Sequence, residues 1–247
     1  MKQVILTVKS NIALTSSIYK MELIGDTTSI SNSGQFVNIL VDGFFLRRPI
    51  SVNDYSENSL TIIYKVVGKG TEVMSKWTGG QKVDVLLGLG NGYNLAKAGE
   101  TPLLIGGGVG VPPLYNLAKK LIKDNKKVSV ILGFNTKDEV FYEDEFKALG
   151  CEVYVTTVDG SYGIKGFVTN ALDNIKEYSY FYTCGPMPML KAVYNATTTS
   201  GEFSFEERMG CGFGACMGCS CKVKTKPYKR ICVEGPVLSS SEVIINE

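Results

Sequence analysis

The sequence predicts a multidomain β plus α/β chain. An antiparallel β-barrel spans residues 1–97, a parallel-sheet α/β domain spans 98–200, and a small cysteine-built module spans 201–247. Three observations predict it. Up to about residue 97, short runs of alternating apolar and polar residues are punctuated by Gly, Asn and Asp. From Glu100, apolar strands alternate with stretches whose apolar residues recur at helical spacing. The last segment holds five cysteines between Cys211 and Cys232, four of them interleaved with glycines.

The chain has 247 residues, enough for two domains and a module, with ordinary globular composition. A net charge of +2 implies no polyanionic partner, so nucleic acid is not expected. The start, Met1 to Lys9, is too short and too alternating for a signal peptide, and no apolar run approaches a membrane span of roughly 20 residues. A reduced, cytoplasmic setting with no membrane association is expected. Histidine is absent. That excludes a Rieske centre, a Ser-His-Asp triad, His-ligated zinc catalysis and His-ligated haem.

Within the barrel, Val4, Leu6 and Val8 alternate. Further strands are expected at Phe36–Leu40, Arg48–Val52, Leu60–Val67 and Lys82–Leu87, and a helix at Thr71–Trp77 stops at Gly79-Gly80. Arg47-Arg48-Pro49-Ile50-Ser51 places cations, a φ-locked proline and a hydroxyl on one short strand. Gly68-Lys69-Gly70-Thr71 opens the helix, and a glycine-flanked helix start offers N–H groups to an anion. Together they could clamp a diphosphate. A solvated arginine pair and an ordinary helix cap explain the same residues.

In the second domain, the strand Thr101–Ile105 runs into Gly106-Gly107-Gly108-Val109-Gly110, then Pro112-Pro113 and a helix through Leu114, Leu117, Ala118, Leu121 and Ile122. Proline fits the first helical turn, where its missing N–H has no partner. Strand, glycine loop and helix start make a nucleotide-phosphate arrangement, although not a strict G-x-G-x-x-G. Strands follow at Lys127–Leu132 and Cys151–Val155, with helices at Glu143–Leu149 and Gly166–Ile175. The strand Ser179–Thr183 ends in Cys184-Gly185-Pro186, before a helix from Met187 to about Ala196. Ligands of parallel sheets bind at the carboxyl ends of strands, where Gly106–Gly110 and Cys184–Met187 both lie. Cys184 could line a nicotinamide pocket or be a small buried thiol.

Cys211, Cys216 and Cys219 give C-x4-C-x2-C, and Cys232 follows, the ligand spacing of a plant-type [2Fe–2S] cluster. The interleaved glycines can turn through positive φ and bring amide N–H groups to the sulfurs. A zinc site of four cysteine thiolates is the rival reading. An odd total of seven cysteines and no secretion signal argue against disulfides. Cys221 is a spare thiol in the loop, set aside by spacing alone. Short strands at Glu202–Arg208, Cys221–Lys224 and Arg230–Glu234 cannot bury much surface, so this module needs its metal and the preceding domain as support.

The combination of Arg48-Pro-Ile-Ser51, Gly70-Thr71, Gly106–Pro113, Cys184-Gly-Pro-Met187 and the cluster loop resembles the ferredoxin–NADP reductase superfamily. The ending Glu207–Cys219 with Cys232-Val-Glu-Gly-Pro-Val237 is similar, more narrowly, to the family of electron-transfer subunits of type B dihydroorotate dehydrogenases. The likeness spans nearly the whole chain.

The resemblance implies FAD on the barrel, contacted by Arg48, Pro49, Ile50 and Ser51. Ile63, Tyr64 and Lys65 would line a second side, and Gly70 and Thr71 would hold the diphosphate. It implies NAD across Gly106, Gly107, Gly108 and Gly110 and across Cys184, Gly185, Pro186 and Met187. It implies a [2Fe–2S] cluster on Cys211, Cys216, Cys219 and Cys232. The partner would be an FMN-containing dihydroorotate dehydrogenase catalytic subunit in an α2β2 heterotetramer, and the work would serve pyrimidine biosynthesis. Electrons would run from the partner's FMN through the cluster and FAD to NAD, with no catalytic acid or base on this chain and no dihydroorotate oxidation by it alone. Gly133-Phe-Asn-Thr-Lys137 lacks an arginine cluster for a 2′-phosphate, which favours NAD over NADP. Subunits resembling sulfhydrogenase gamma chains or NADH-dependent ferredoxin–NADP oxidoreductases share the layout. A zinc-stapled nucleotide-binding regulatory module is the alternative without electron transfer.

Overall fold

The computed structural model describes residues 1–245. Six strands close an antiparallel barrel: β1 (Lys2–Ala13), β2 (Ile18–Ile24), β3 (Phe36–Ile39), β4 (Arg48–Tyr55), β5 (Ser59–Lys65) and β6 (Lys82–Leu89), in the order β1-β2-β5-β4-β3-β6. The alternation read in the sequence is its inside and outside. Leu6, Val8, Val37, Ile39, Leu60 and Ile62 fill the interior, while Phe36 and Leu86 pack outward against other parts of the chain. The helix α1 (Lys69–Ser75) interrupts the barrel two residues earlier than the sequence pattern places it, because Thr71 caps from inside the first turn. Its Oγ1 accepts the N–H groups of Val67 and Gly68 at 3.0 and 3.2 Å and donates to the Gly68 carbonyl.

The rest of the chain supplies β7 (Leu103–Gly107), β8 (Ser129–Phe134), β9 (Glu152–Thr157), β10 (Ile164–Lys165), β11 (Phe181–Cys184), β12 (Gly201–Ser204), β13 (Ser220–Cys221), β14 (Lys229–Arg230) and β15 (Val237–Ser239). Seven of these form a second sheet in the order β10-β9-β8-β7-β11-β12-β15. All its pairs are parallel except β12 with β15. The helices α2 (Pro112–Lys123), α3 (Glu143–Ala148) and α4 (Met187–Ala196) accompany it. The sheet draws strands from both sides of residue 200, since the first and last strands of the cysteine segment pair into it. Between them lie only the two-residue strands β13 and β14, paired with each other.

Two expectations are corrected. Gly106 and Gly107 are the last two residues of β7, so the open part of the glycine turn is Gly108–Gly110. Residues 166–175 do not form an α-helix. The strand β10 ends before Gly166, and Val168–Asn174 is a 3-10 helix. Its N–H groups return to the third residue back, as in Asn170 to Phe167 and Ile175 to Leu172.

The barrel and the parallel sheet are locked through β4 and α2. Asn53, buried, donates to the Pro112 carbonyl at 3.1 Å and accepts the Tyr142 hydroxyl at 2.8 Å. Asn116 of α2 donates to Asp54 at 2.6 Å and accepts from Ser33 at 2.6 Å. Ile18 and Ile63 of the barrel enter one apolar core with Leu104, Val111 and Leu114. One strand therefore carries Arg48–Ser51 and also braces the helix that follows the glycine turn.

Candidate functional site

On β4, Arg48, Pro49, Ile50 and Ser51 are all half-buried, and they face Ile39, Asn38, Val37 and Phe36 of β3 in register. Directly opposed residues share a face. Ile50 with Val37 turns into the barrel, whereas Pro49 with Asn38 and Ser51 with Phe36 lie on its outer surface. The neighbouring arginines divide their labour. Arg47 is tied into the barrel, with a 2.9 Å ion pair to Asp84 and bonds to the carbonyls of Asn38 and Asp84. Arg48 stays nearer the surface. Its guanidinium sits 4.8 Å from the centre of the Phe44 ring and donates to the Leu46 carbonyl. A β-carbon at Gly70 would overlap Arg48 Nε. The arginine strand and the glycine-flanked helix start, about twenty residues apart in sequence, meet in space.

The second stretch presents less. Ile63 and Tyr64 are 3% and 2% exposed, and the Tyr64 hydroxyl donates to Asn11 inside the fold. Burial pushes that hydroxyl up to about 12. Of the three, Lys65 is the side chain left half-buried rather than buried.

The two ends of the nucleotide arrangement meet. Gly106 of β7 pairs with Cys184 of β11, and a β-carbon at Gly110 would overlap the Cys184 carbonyl. One at Gly107 would strike the Met189 sulfur. The glycines are there for close approach of backbone to backbone. Gly108, at φ +52°, has open space around its β position and forms the lip with Val109, 39% exposed. Gly185 is half-buried, and Pro186 and Met187 are exposed beside it at the start of α4. Burial pushes the Cys184 thiol up to about 12, which keeps it a neutral wall residue rather than a thiolate nucleophile.

The cysteine sulfurs come in two pairs. The Cys216 N–H donates to Cys211 Sγ at 3.4 Å and the Cys211 N–H to Cys216 Sγ at 3.4 Å. The Cys232 N–H donates to Cys219 Sγ at 3.5 Å. Further N–H groups reach the first pair from Ala215 at 3.2 Å and Gly218 at 3.5 Å. Burial works against ionisation of Cys211, but the N–H groups of Phe213, Cys216 and Ala215 and the Cys216 thiol outweigh it and draw Cys211 down to about 6. Cys232 moves the other way, to about 12, through burial and then the adjacent Cys219 thiol. Two thiol pairs with N–H donors at sulfur fit a two-iron cluster, two ligands to each metal. Cys221 lies half-buried in β13, outside both pairs.

Two further side chains hold this loop, and the motif reading passed over both. Arg230 donates to the Gly214 carbonyl at 3.0 Å and closes on Glu234 at 2.6 Å. Asn38, 1% exposed on β3, donates to the Cys211 carbonyl at 3.3 Å. The available signals were an i,i+4 charge pair around Cys232 and one amide in the apolar run Phe36–Ile39.

Comparison with known proteins is consistent with this geometry. Residues 206–244 match the family model of the iron–sulfur cluster binding domain of dihydroorotate dehydrogenase B, and residues 104–195 match the oxidoreductase NAD-binding domain. The electron transfer subunit of dihydroorotate dehydrogenase B (NAD(+)) from Fusobacterium nucleatum is 48% identical, with 97% of each chain covered. Its counterpart from Bacillus pumilus is 45% identical over the whole of both chains. Among solved structures, a chain of the NADH-dependent reduced ferredoxin-NADP oxidoreductase superposes with a TM-score of 0.88 at 29% identity, covering 98% of this chain and 91% of that one. The ferredoxin NADP+ reductase of Neisseria gonorrhoeae, solved with FAD and NADP, gives 0.68 at 17% identity over 79% and 90% and shares the fold.

Proposed function

The chain belongs to the family of electron transfer subunits of dihydroorotate dehydrogenase B, and from that premise we propose how its residues carry electrons between a catalytic partner subunit and NAD+. The observation that carries the reading is the double thiol pair with backbone N–H groups at sulfur, directly against the barrel face that bears Pro49 and Ser51.

Cys211, Cys216, Cys219 and Cys232 would ligate a [2Fe–2S] cluster. Arg48, Pro49, Ile50 and Ser51 would bind FAD, with Gly70 and Thr71 at its diphosphate and Ile63, Tyr64 and Lys65 along a second side. Gly106, Gly107, Gly108 and Gly110 with Cys184, Gly185, Pro186 and Met187 would seat NAD. When bound, the cluster supplies single-electron transfer and the flavin converts between single electrons and a hydride. The chain's part is placement. Arg48 offers a charge-assisted donor packed against the Gly70 backbone, and Thr71 uses its hydroxyl to shape that turn rather than to reach a ligand. The collapsed contact of Gly110 with Cys184 fixes the cleft floor, leaving Gly108 and Val109 as its rim. No side chain here is required as acid or base.

The functional division follows the boundaries 1–97, 98–200 and 201–247, with β12 and β15 mooring the last part to the sheet. The assembly would be an α2β2 heterotetramer with an FMN-containing subunit. Among the described residues no helix is long and apolar enough to cross a membrane, and the setting we propose is the cytoplasm. Fold likeness to the ferredoxin-NADP oxidoreductase chain reaches 29% identity, against 48% for the dihydroorotate dehydrogenase relative, which ranks that alternative second.

Reconstitution with an FMN dihydroorotate dehydrogenase subunit tests the reading. Mixing should produce dihydroorotate-dependent NADH formation, with iron, labile sulfide and FAD in the purified chain. Colourless protein containing zinc would overturn it.

A further inference from the structure

Asn38 stands out on β3. Its neighbours on the barrel's outer face, Phe36 and Leu86, are apolar and pack under the cysteine segment in one core with Cys219 and Cys232. Asn38 faces Pro49 on one side and Leu86 on the other, so the register sets Pro49, Asn38 and Leu86 in a row across β4, β3 and β6. An apolar residue would complete that row. Instead there is an amide, 1% exposed, whose Oδ1 is buried without a hydrogen-bond partner. A buried unpaired acceptor is costly, so this side chain is a poor choice for the barrel's own stability.

What the amide does is reach the cysteine loop. Nδ2 donates to the carbonyl of Cys211, the first thiol of the first pair, across 173 positions of sequence. Gly212, at φ +78°, lies so close that a β-carbon there would stand 2.5 Å from Nδ2. The loop has therefore given up a side chain, and adopted a conformation that suits glycine, in order to rest on this amide.

We propose that Asn38 is the positioning residue that joins the two redox sites: its amide holds the Cys211 carbonyl against the barrel face carrying Pro49 and Ser51. This rests on the function proposed above. Electron transfer between two centres on separate parts of a chain depends on their fixed separation, and this buried donor at the junction helps to hold it. The role requires no contact of Asn38 with nucleotide or partner.

Two substitutions test this in the complete chain with its cofactors. Asn38→Asp keeps the shape and removes the donor, and Asn38→Leu matches the apolar neighbours. Stopped-flow mixing with NADH separates bleaching of the flavin from later reduction of the cluster. Both variants should bleach flavin as the wild type does while the cluster phase slows about tenfold or more. The EPR spectrum of the dithionite-reduced cluster should shift, and iron should pass to a chelator about tenfold faster. A stabilising role alone would leave the two phases in their wild-type ratio. A wild-type EPR spectrum and unchanged cluster phase in Asn38→Leu would overturn the inference. Because Asn38→Leu fills the row with a residue like its neighbours, a melting curve should show that variant folded even where Asn38→Asp fails. Wild-type protein without iron would overturn the parent reading instead, so the two failures are distinct.

Discussion

The guanidinium of Arg48 lies against the α-carbon of Gly70, with no room between them for a methyl group. The Phe44 ring covers the guanidinium from another side. A cation held in this way at a glycine-flanked turn is pre-set for an anion, and both residues are needed for different reasons.

Arg48→Ala should weaken FAD retention by roughly 10–100-fold, the worth of a charge-assisted hydrogen bond. Gly70→Ala should do the same without touching the charge, since the new methyl displaces the guanidinium. Alanine suits a helix better than glycine, so this variant should not melt earlier than the wild type. Flavin occupancy after gel filtration, alongside a melting curve, measures both. Full occupancy in Gly70→Ala would separate the two residues.

Cys216→Ser should abolish the cluster and leave FAD bound. Cys216 is exposed and belongs to the first thiol pair, while the Arg48–Gly70 site sits on the barrel. Iron and flavin analysis of one preparation decides it. Equal loss of both would show that the cluster loop supports the flavin site.

Gly110→Ala should raise KM for NADH about tenfold or more, because its methyl must push the Cys184 carbonyl away and open the cleft floor. Gly108→Ala meets no neighbour and should cost about 1–2 kcal/mol of backbone strain at its positive φ, with a smaller change in KM. Steady-state kinetics of the pair gives the comparison. A larger KM effect at Gly108 would place the nucleotide contact at the lip rather than the floor.

Burial pushes the thiols of Cys151 and Cys184 up to about 12 from an ordinary 9.0. In the unfolded chain they ionise first. Above pH 9 the unfolded state then holds fewer protons than the folded one, so stability falls as pH rises from 9 towards 12 and is unaffected by these groups at lower pH. Near pH 8, neither thiol should react with iodoacetamide in the native protein. Peptide mass mapping checks this, and a urea series at rising pH should show flattened losses in Cys151→Ala and Cys184→Ala. Fast labelling of Cys184 would reveal an open pocket and a far more reactive thiol.

The local layers of this molecule were readable early. Alternation of Val4, Leu6 and Val8 marks a barrel strand, and the apolar spacing of Leu114, Leu117 and Leu121 marks α2, because side-chain period depends only on backbone geometry. Errors fell where local pattern is ambiguous. Residues 166–175 carry helical spacing, yet they close as a 3-10 turn after Gly166. Glycines at the end of β7 read as loop, although Gly106 and Gly107 keep their ladder pairs with Leu132 and Gly133 of β8. Arg47 and Arg48 are adjacent and alike in sequence. Only the Asp84 carboxylate beside one and Gly70 beside the other give them different work.

What the sequence determined by itself was the chemistry on offer: four thiols at cluster spacing, glycines wherever backbone must meet backbone, and no histidine to do acid–base work. These follow from residue type and short spacing, which no fold can change. Tertiary structure alone decided which of these groups are neighbours. Strand register brought Pro49 opposite Asn38, and the pairing of β12 and β15 with the parallel sheet carried Cys211 back to that same amide. The Asn38–Cys211 contact joins residues 173 positions apart, and its geometry is set by sheet pairing and core packing summed over the whole chain rather than by any motif.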